Sequence, residues 1–195
     1  RVKTVLPIDT NIIIFDLESS APSAADIVKE LAKKNILIGA FGERRIRIVT
    51  QFLENFESDR ILVVSARQYG QRPARKFAQS IGAKYIVGRF IPGTLTNPSL
   101  RTYMEPEVIL VTDPAADSQA LSEAVKSGLP VVAICDANNR LRNVDIALPA
   151  NNKGRRSLAL VYWLLARETL KGRGTVSNDT EWELAEDVAD WESTF

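Results

Sequence analysis

The sequence predicts an α/β protein with a mostly parallel β-sheet covered by helices on both faces, preceded by a small β-α-β-β unit. Several runs of four or five consecutive apolar residues are typical of strands buried on both faces, because such strands lack the polar alternation of half-exposed ones. The segments between these runs carry apolar residues at helical spacing, and Gly and Pro mark their ends. An apolar fraction of 45% agrees with a globular chain.

The first fifty residues are predicted to form the β-α-β-β unit. A strand is expected at 11–15, a helix at about 21–34, and two more strands at 36–38 and 46–49. No Pro- or Gly-rich linker follows, so we expect this unit to pack against the rest. The predicted organisation is therefore a unit at 1–50, an α/β core at 51–174 and an acidic tail at 175–195.

The core is predicted to begin with a strand at 61–64, followed by a helix that has Pro73 in its first turn. Strands are then expected at 84–87 and 108–111, and Asp113-Pro114 is expected to open the next helix. The remaining predicted elements are strands at 131–134 and 144–148 and a long helix at about 154–171.

The charges are strongly segregated along the chain. The formal net charge is only +1, yet residues 175–195 hold seven acidic residues and no Lys or Arg. Residues 1–174 therefore carry 25 basic residues against 17 acidic ones, a net charge of +8. A basic body with an acidic tail is common in proteins that contact nucleic acid.

Two basic stretches are expected to bind phosphate. Seven basic residues and no acidic one lie from Arg67 to Arg101, and a second stretch spans 151–156. Cations near a helix start destabilise it unless an anion lies close, because the helix start already carries partial positive charge. Two such stretches indicate a polyanion, most plausibly RNA. The candidate RNA-binding residues are Arg67, Arg72, Arg75, Lys76, Arg89, Thr94, Asn97, Arg101, Asn151, Asn152, Lys153, Arg155 and Arg156.

Composition argues against several classes of function. The chain has no histidine, which removes Ser-His-Asp and Cys-His catalysis and histidine metal ligation. Its single cysteine, Cys135, lies in an apolar run and is expected to be a buried strand residue. Neither GxGxxG nor a Walker A pattern occurs. The longest unbroken apolar run, 158–166, is too short to span a bilayer, and nothing resembles a signal peptide.

Individual residues have alternative interpretations. Asp113 and Asp117 are possible catalytic carboxylates, but helix capping is the favoured role. Trp163 is expected in the core, whereas Phe90 is balanced between core packing and stacking on a base. The basic residues of 171–174 are ordinary at the end of a helix.

From about residue 52 onward, the chain resembles the universal second protein of the small ribosomal subunit. The closer match is the archaeal and eukaryotic branch of that family, which includes the laminin-receptor-like SA protein. The resemblance is carried by Tyr69-Gly70-Gln71-Arg72-Pro73 with Lys76-Phe77, Gly88-Arg89-Phe90-Ile91-Pro92-Gly93-Thr94-Leu95-Thr96-Asn97, Val111-Thr112-Asp113-Pro114 with Ala116-Asp117, Val144-Asp145-Ile146-Ala147-Leu148-Pro149, Asn151-Asn152-Lys153-Gly154 and Tyr162-Trp163-Leu164-Leu165-Ala166-Arg167-Glu168. It implies a doubly wound, flavodoxin- or Rossmann-like fold and a structural rRNA-binding protein without catalysis.

The sequence departs from that family in two places. Ser118 stands where the family usually has histidine, and the usual beginning with an Ala-Gly-x-His-Ile-Gly segment is absent. The first fifty residues instead resemble the C-terminal small domain of a threonine aldolase, a pyridoxal-phosphate enzyme in which an arginine near Arg47 would hold the substrate carboxylate. This second resemblance implies a chimera. It rests on Thr10-Asn11-Ile12-Ile13-Ile14-Phe15-Asp16, Ala21-Pro22-Ser23-Ala24-Ala25, Ile38-Gly39-Ala40-Phe41-Gly42 and Arg45-Ile46-Arg47-Ile48-Val49-Thr50.

The first hypothesis is therefore a cytoplasmic, archaeal-type protein of the small ribosomal subunit. Its expected partners are small-subunit rRNA and neighbouring ribosomal proteins, with no membrane, no small-molecule substrate, no cofactor and no metal. One alternative is an enzyme or substrate-binding fragment related to the pyridoxal-phosphate aldolases, although the large domain with the cofactor lysine is missing. Another is a chimeric protein without a ribosomal role, a stand-alone α/β interaction module.

Overall fold

A five-stranded parallel β-sheet forms the centre of the molecule. A computed structural model describes residues 2–4, 15–17, 39–40, 46–47, 49–177 and 179–194. The sheet contains β5 (Ile61–Ser65), β6 (Lys84–Val87), β7 (Val108–Val111), β8 (Val131–Cys135) and β9 (Ile146–Pro149), in the spatial order β6-β5-β7-β8-β9. All four neighbouring pairs are parallel, which confirms the predicted sheet.

The order of the strands creates a switch point. The chain passes from β5 to β6 on one side of the sheet and then returns to place β7 on the other side of β5. In open α/β sheets, the crevice outside the carboxyl ends of the strands at such a switch point is the usual ligand position. Here that crevice lies beyond the ends of β5 and β7.

Five α-helices are described, together with two short 3₁₀ helices at Ser58–Arg60 and Val188–Trp191. The helices are α1 (Val49–Glu54), α2 (Gln68–Ile81), α3 (Ser118–Lys126), α4 (Arg155–Gly172) and α5 (Asp179–Ala185). Before α1, the described part contains two antiparallel strand pairs. These are β1 (Val2–Thr4) with β2 (Phe15–Leu17), and β3 (Gly39–Ala40) with β4 (Ile46–Arg47).

Two apolar clusters lie on opposite faces of the sheet, as expected for strands buried on both sides. On the first face, Val63 and Leu110 pack with α1, α2, α4 and the C-terminal segment. On the second face, Leu62 and Val111 pack with α3 and with the long loop 88–107. Phe90, at 6% exposed, belongs to the second cluster, so core packing rather than base stacking is its role. Trp163 is buried in the first cluster, as predicted.

Several element boundaries differ from the sequence-based expectations. Helix α2 begins at Gln68, so Pro73 lies in its second turn rather than its first. Helix α3 begins at Ser118 and not at Asp113-Pro114, because 113–117 forms a turn in which the Asp117 N–H donates to the Asp113 carbonyl oxygen over 2.8 Å. The strand expected at 46–49 ends at Arg47, since Val49 already begins α1. Of the strand expected at 11–15, only Phe15 is described, and it begins β2. The helix expected at 21–34 and the strand expected at 36–38 lie outside the described residues.

Gly70 allows α2 to lie close against the sheet. A Cβ atom at this position would come within 2.4 Å of the Ser65 Oγ and 2.8 Å of the Thr112 Cγ2. The Thr112 hydroxyl donates to the Val64 carbonyl oxygen over 2.8 Å and lies 2.7 Å from the Tyr162 hydroxyl, which ties α4 to the same place. The glycine of the Tyr69-Gly70-Gln71 motif is therefore required by packing.

The acidic C-terminal segment is packed onto the first face of the sheet. Trp191 is fully buried, and Trp182 lies between it and Trp163, with ring centroids 6.2 and 6.1 Å away. The Trp163 Nε1–H donates to the Glu186 carbonyl oxygen over 2.9 Å, and the Trp191 Nε1–H donates to the Glu186 carboxylate over 3.0 Å. The segment is therefore part of the folded core.

Glu123 anchors the long loop 88–107 to α3. Its buried carboxylate accepts hydrogen bonds from the backbone N–H groups of Gly93 and Leu95, over 2.7 and 3.1 Å, and from the Gln119 side chain over 2.9 Å. Burial alone would raise the pKa of Glu123, but these donors outweigh it and lower the pKa. One buried acid thus fixes the conformation of the Gly88–Asn97 motif.

We expect Glu123→Gln to lower the free energy of unfolding by about 2–3 kcal/mol, because a neutral amide loses charge-assisted bonds and turns its NH₂ toward a buried backbone donor. Urea titration with circular dichroism measures this change. Glu107→Gln is the matched control, because the Glu107 side chain is 54% exposed. This substitution should lower the free energy of unfolding by at most about 0.5 kcal/mol. Equal losses in the two variants would show that Glu123 has no anchoring role.

Candidate nucleic-acid interface

A connected set of polar side chains joins the strand ends at the carboxyl edge of the sheet, and Asp113 is at its centre. One carboxylate oxygen of Asp113, which follows β7, accepts hydrogen bonds from the guanidinium group of Arg67, which follows β5. The other oxygen accepts from the Ala115 N–H over 3.0 Å and from the Asn139 side chain over 2.9 Å. Asp113 is 1% exposed, so a single buried carboxylate links three loops.

Asp117 makes a second connection between β5 and β7. Its carboxylate accepts from the Ala66 N–H over 2.6 Å and from the Asp113 N–H over 3.0 Å. It occupies the N-cap position of α3, as the capping interpretation predicted, yet it does not bond to that helix. Its hydrogen bonds hold the adjacent strand end instead.

The network continues to β8 and β9 through two asparagines. The Asn152 amide, fully buried, donates to the Ile134 carbonyl oxygen and to the Asn139 Oδ1, each over 2.9 Å. The Asn139 Oδ1 also accepts from the Asp136 N–H over 2.8 Å. The loops that follow β5, β7, β8 and β9 are therefore fixed relative to one another.

The two aspartates have opposite pKa shifts. Burial raises the pKa of Asp117 to about 6, against the lowering effect of its two backbone donors. Burial also acts to raise the pKa of Asp113, but hydrogen bonds from Arg67, Ala115 and Asn139 outweigh it, so that pKa is lowered. Burial and the nearby Asp113 charge raise the pKa of the Cys135 thiol to about 11, which makes it a poor nucleophile.

Several predicted RNA-binding residues are engaged in local structure. Arg67 is paired with Asp113, and the Lys153 Nζ lies 3.5 Å from the Asp136 carboxylate. Asn97 and Asn151 accept hydrogen bonds from backbone N–H groups two residues further on, at Ser99 and Lys153. These side chains shape the loops in which they lie.

Thr94 and Asn152 are buried, at 1% and 0% exposed, so their side chains lack the surface needed to touch a partner. The Thr94 hydroxyl donates to the Ile91 carbonyl oxygen over 2.7 Å, and the Asn152 amide is committed to Ile134 and Asn139. Direct RNA contact by these two side chains stays a prediction from the sequence, and their burial argues against it. Both residues stabilise loops.

Four basic residues of α2 and α4 face the acidic C-terminal segment. The Arg155 and Arg156 guanidinium groups lie 3.2 and 3.5 Å from the Glu192 carboxylate, and the Lys76 ammonium group lies 3.2 Å from Glu186. The Arg72 side chain donates to the Asp190 carbonyl oxygen over 3.0 Å. The start of α4 does have the anion that the helix-dipole argument requires, but Glu192 of the same chain supplies it.

The helix-start argument does not apply to Arg72 and Arg75. Because α2 begins at Gln68, both arginines lie beyond its first turn. The Arg75 guanidinium group lies over the Tyr85 ring, 6.0 Å from the ring centroid. A cation–π contact of this kind is an ordinary structural role for arginine.

Five exposed arginines have no ion-pair partner in the part of the chain that the structure describes. One of them is Arg75, which lies over the Tyr85 ring, and the other four lie in loops. Arg89 and Arg101 were predicted from the sequence, and both lie in the loop 88–107. Arg140 and Arg142, in the loop between β8 and β9, were missed. The available signal was their place in the loop that follows a buried strand, because the loops at the carboxyl ends of parallel strands often carry ligand-binding groups.

No group of three or more His, Cys, Asp or Glu residues suited to a metal ion occurs among the described residues. None of the described helices is long and apolar enough to cross a membrane. The buried carboxylates of the carboxyl edge are all occupied by hydrogen bonds within the protein.

Comparison with known proteins gives one consistent family. The family model described as Ribosomal protein S2 matches residues 99–172. The small ribosomal subunit protein uS2 of Ignicoccus hospitalis is 54% identical over 151 residues, which cover 77% of this chain and 71% of that protein. The protein of the same name from Haloquadratum walsbyi is 56% identical over 135 residues, which cover 69% of this chain and 48% of that protein.

The raised pKa of Asp117 predicts a specific pH dependence of stability. A carboxyl group whose pKa is higher in the folded state stabilises that state below its unfolded pKa, and the stabilisation is lost as pH rises through about 6. Relative to Asp117→Asn, the wild-type free energy of unfolding should fall by about 2–3 kcal/mol between pH 4 and pH 7. Urea titrations of the wild type and of Asp117→Asn across this pH range measure the difference in the free energy of unfolding. Asp113 is present in both proteins, so its opposite contribution cancels in the difference. If the difference between the two proteins stays constant from pH 4 to pH 7, the pKa of Asp117 is not raised by burial.

Proposed function

The chain belongs to the uS2 family of small ribosomal subunit proteins, and on that premise we propose that it is a structural, rRNA-binding component of the small subunit. The observation that carries the proposal is the distribution of free positive charge. Arg89, Arg101, Arg140 and Arg142 are exposed in loops and have no acidic partner among the described residues. A surface that neutralised its own cations everywhere would have no electrostatic attraction for a phosphate backbone.

The proposed interface is the carboxyl edge of the sheet rather than the surface of α2 and α4. On the first face, Lys76, Arg155 and Arg156 already have carboxylates within 3.5 Å. At the carboxyl edge, the loops that carry Arg89, Arg140 and Arg142 are fixed by the Asp113 network and by Glu123. Rigid loops with unpaired arginines suit contacts to phosphates and to RNA shape, with little base readout.

The partners follow from this role. Beside small-subunit rRNA, we propose neighbouring ribosomal proteins as partners, the cytoplasm as the location and no catalytic activity. The aspartates that would be candidate catalysts, Asp113 and Asp117, are each held by at least two hydrogen-bond donors within the fold. Their use as structural acceptors supports a non-enzymatic function.

The threonine aldolase hypothesis is not part of this proposal. It concerns residues 1–50, most of which lie outside the described residues, and the matched family and relatives give it no support. The chimera therefore stays a hypothesis from the sequence. An absorbance scan of the purified chain with added pyridoxal phosphate would detect a Schiff base if an aldolase-related site were present.

The salt dependence of rRNA binding tests the placement of the interface. We expect Arg140→Gln with Arg142→Gln to weaken binding to small-subunit rRNA and to reduce the slope of log K against log salt by about 1.4–1.8, since each phosphate contact contributes roughly 0.7–0.9. Filter binding over a range of KCl concentrations gives both quantities. Arg155→Gln with Arg156→Gln changes the net charge equally and should reduce the slope much less, because those arginines are paired with Glu192.

Two outcomes would count against this proposal. A wild-type affinity that does not depend on salt would remove the polyanion as a partner. A larger loss in the Arg155 and Arg156 variant than in the Arg140 and Arg142 variant would move the interface to the first face of the sheet.

A further inference from the structure

The switch point of the sheet contains a crevice beside Arg89, one of the free cations of the proposed interface. One cavity of about 390 Å³ is lined by Ala66, Arg67, Gln68, Tyr69 and Ala116. A second, of about 280 Å³, is lined by Ala66, Arg89, Phe90, Pro92, Ala116, Asp117 and Gln119. The two share Ala66 and Ala116, so together they form one crevice beyond the carboxyl ends of β5 and β7.

Tyr69 is an exposed aromatic residue in the wall of this crevice. Its side chain is 40% exposed and has no hydrogen bond or ring contact among the described residues. The other tyrosines are all engaged: Tyr85 lies under Arg75, Tyr103 donates to Glu105 and Tyr162 contacts Thr112. An exposed aromatic ring without a partner, beside a cavity, is a stacking surface for a planar ligand.

The charge of the crevice selects the class of ligand. Arg67 is neutralised by Asp113, whereas Arg89, which lines the same crevice, has no described ion-pair partner. The rest of the wall combines small and apolar residues, such as Phe90 and Pro92, with polar ones. The polar residues are Gln68, Gln119 and Asp117, and the Asp117 carboxylate already accepts from two backbone N–H groups. A flat apolar surface next to one free cation matches a base joined to a phosphate.

We propose that this crevice binds a single unstacked nucleotide of the RNA, with its base on the Tyr69 ring and a phosphate on Arg89. The proposal rests on the rRNA-binding function and adds a contact to a single-stranded position. Single-stranded RNA offers bases that can leave the stack, whereas a duplex keeps them paired. The crevice should therefore discriminate single-stranded from double-stranded RNA.

The test measures binding of a short single-stranded oligouridine, a short oligoadenosine and an RNA duplex of the same length to the full chain. Tyr69→Ala should lower the affinity for both single-stranded probes by roughly 5- to 150-fold, the range for loss of one stacked base. Its affinity for the duplex should stay unchanged. Tyr69→Phe keeps the ring and should bind like the wild type. Arg89→Gln should lower the salt slope for single-stranded RNA by about 0.7.

Tyr85→Ala is the matched control, because its ring is 37% exposed but lies on β6 under Arg75, outside the crevice. It should leave all three affinities unchanged. Ultraviolet cross-linking of oligouridine to the wild type, read by mass spectrometry, should modify the peptide that contains Tyr69.

The failures of the two proposals are distinguishable. If Tyr69→Ala binds single-stranded RNA like the wild type while rRNA binding still depends on Arg140 and Arg142, the crevice proposal is wrong and the ribosomal role stands. If rRNA binding itself has no salt dependence, the proposed function fails. If AMP binds the crevice as tightly as the oligonucleotides do, the rest of the RNA adds nothing to binding, the site takes a free nucleotide, and the RNA proposal is overturned.

Discussion

The buried carboxylate of Asp113 is the interaction on which the carboxyl edge of this protein depends. It receives donors from the loops that follow β5, β7 and β8, and Asn139 extends the connection to Asn152 before α4. Removing this acceptor would leave three partly buried donors without their partner and would break the connection between the three loops. Asp117, bonded to the N–H groups of Ala66 and Asp113, adds a second link between β5 and β7. Loops held in this way can present side chains to a large, rigid partner without a further ordering cost at each contact.

The distribution of acids determines which surface remains free for an anion. The C-terminal segment buries Trp182 and Trp191 against the first face and brings Glu186 and Glu192 to the cations of α2 and α4. The acids of the carboxyl edge are used internally, Asp113 by Arg67 and Glu123 by backbone donors. No described acid pairs with the four exposed arginines of the loops 88–107 and 136–145. A nearly neutral chain thus keeps free positive charge in these two loops.

The sequence predicted the parallel sheet and most of its elements because continuous apolar runs leave few alternatives to strands buried on both faces. It also predicted the cores around Trp163 and Cys135. The first residues of α2 and α3 were predicted wrongly. Pro73 and Asp113-Pro114 are compatible with several helix starts, and the local turns determine which one forms. The pairing of Arg155 and Arg156 with Glu192 joins residues far apart in the chain, and composition alone cannot reveal it. The burial of Thr94 and Asn152 was missed for the same reason, because polar residues in a motif resemble surface residues until their hydrogen-bond partners are known.

The central claim is that RNA meets the carboxyl edge of the sheet while the acidic segment stays on the first face. Hydrogen–deuterium exchange of the full chain, free and bound to small-subunit rRNA, tests it most directly. We expect slower exchange on binding in the loops 66–69, 88–97 and 136–143, with no change in 179–194. Faster exchange in 179–194 together with protection of α2 and α4, and unchanged carboxyl-edge loops, would contradict it, because RNA would then displace the acidic segment.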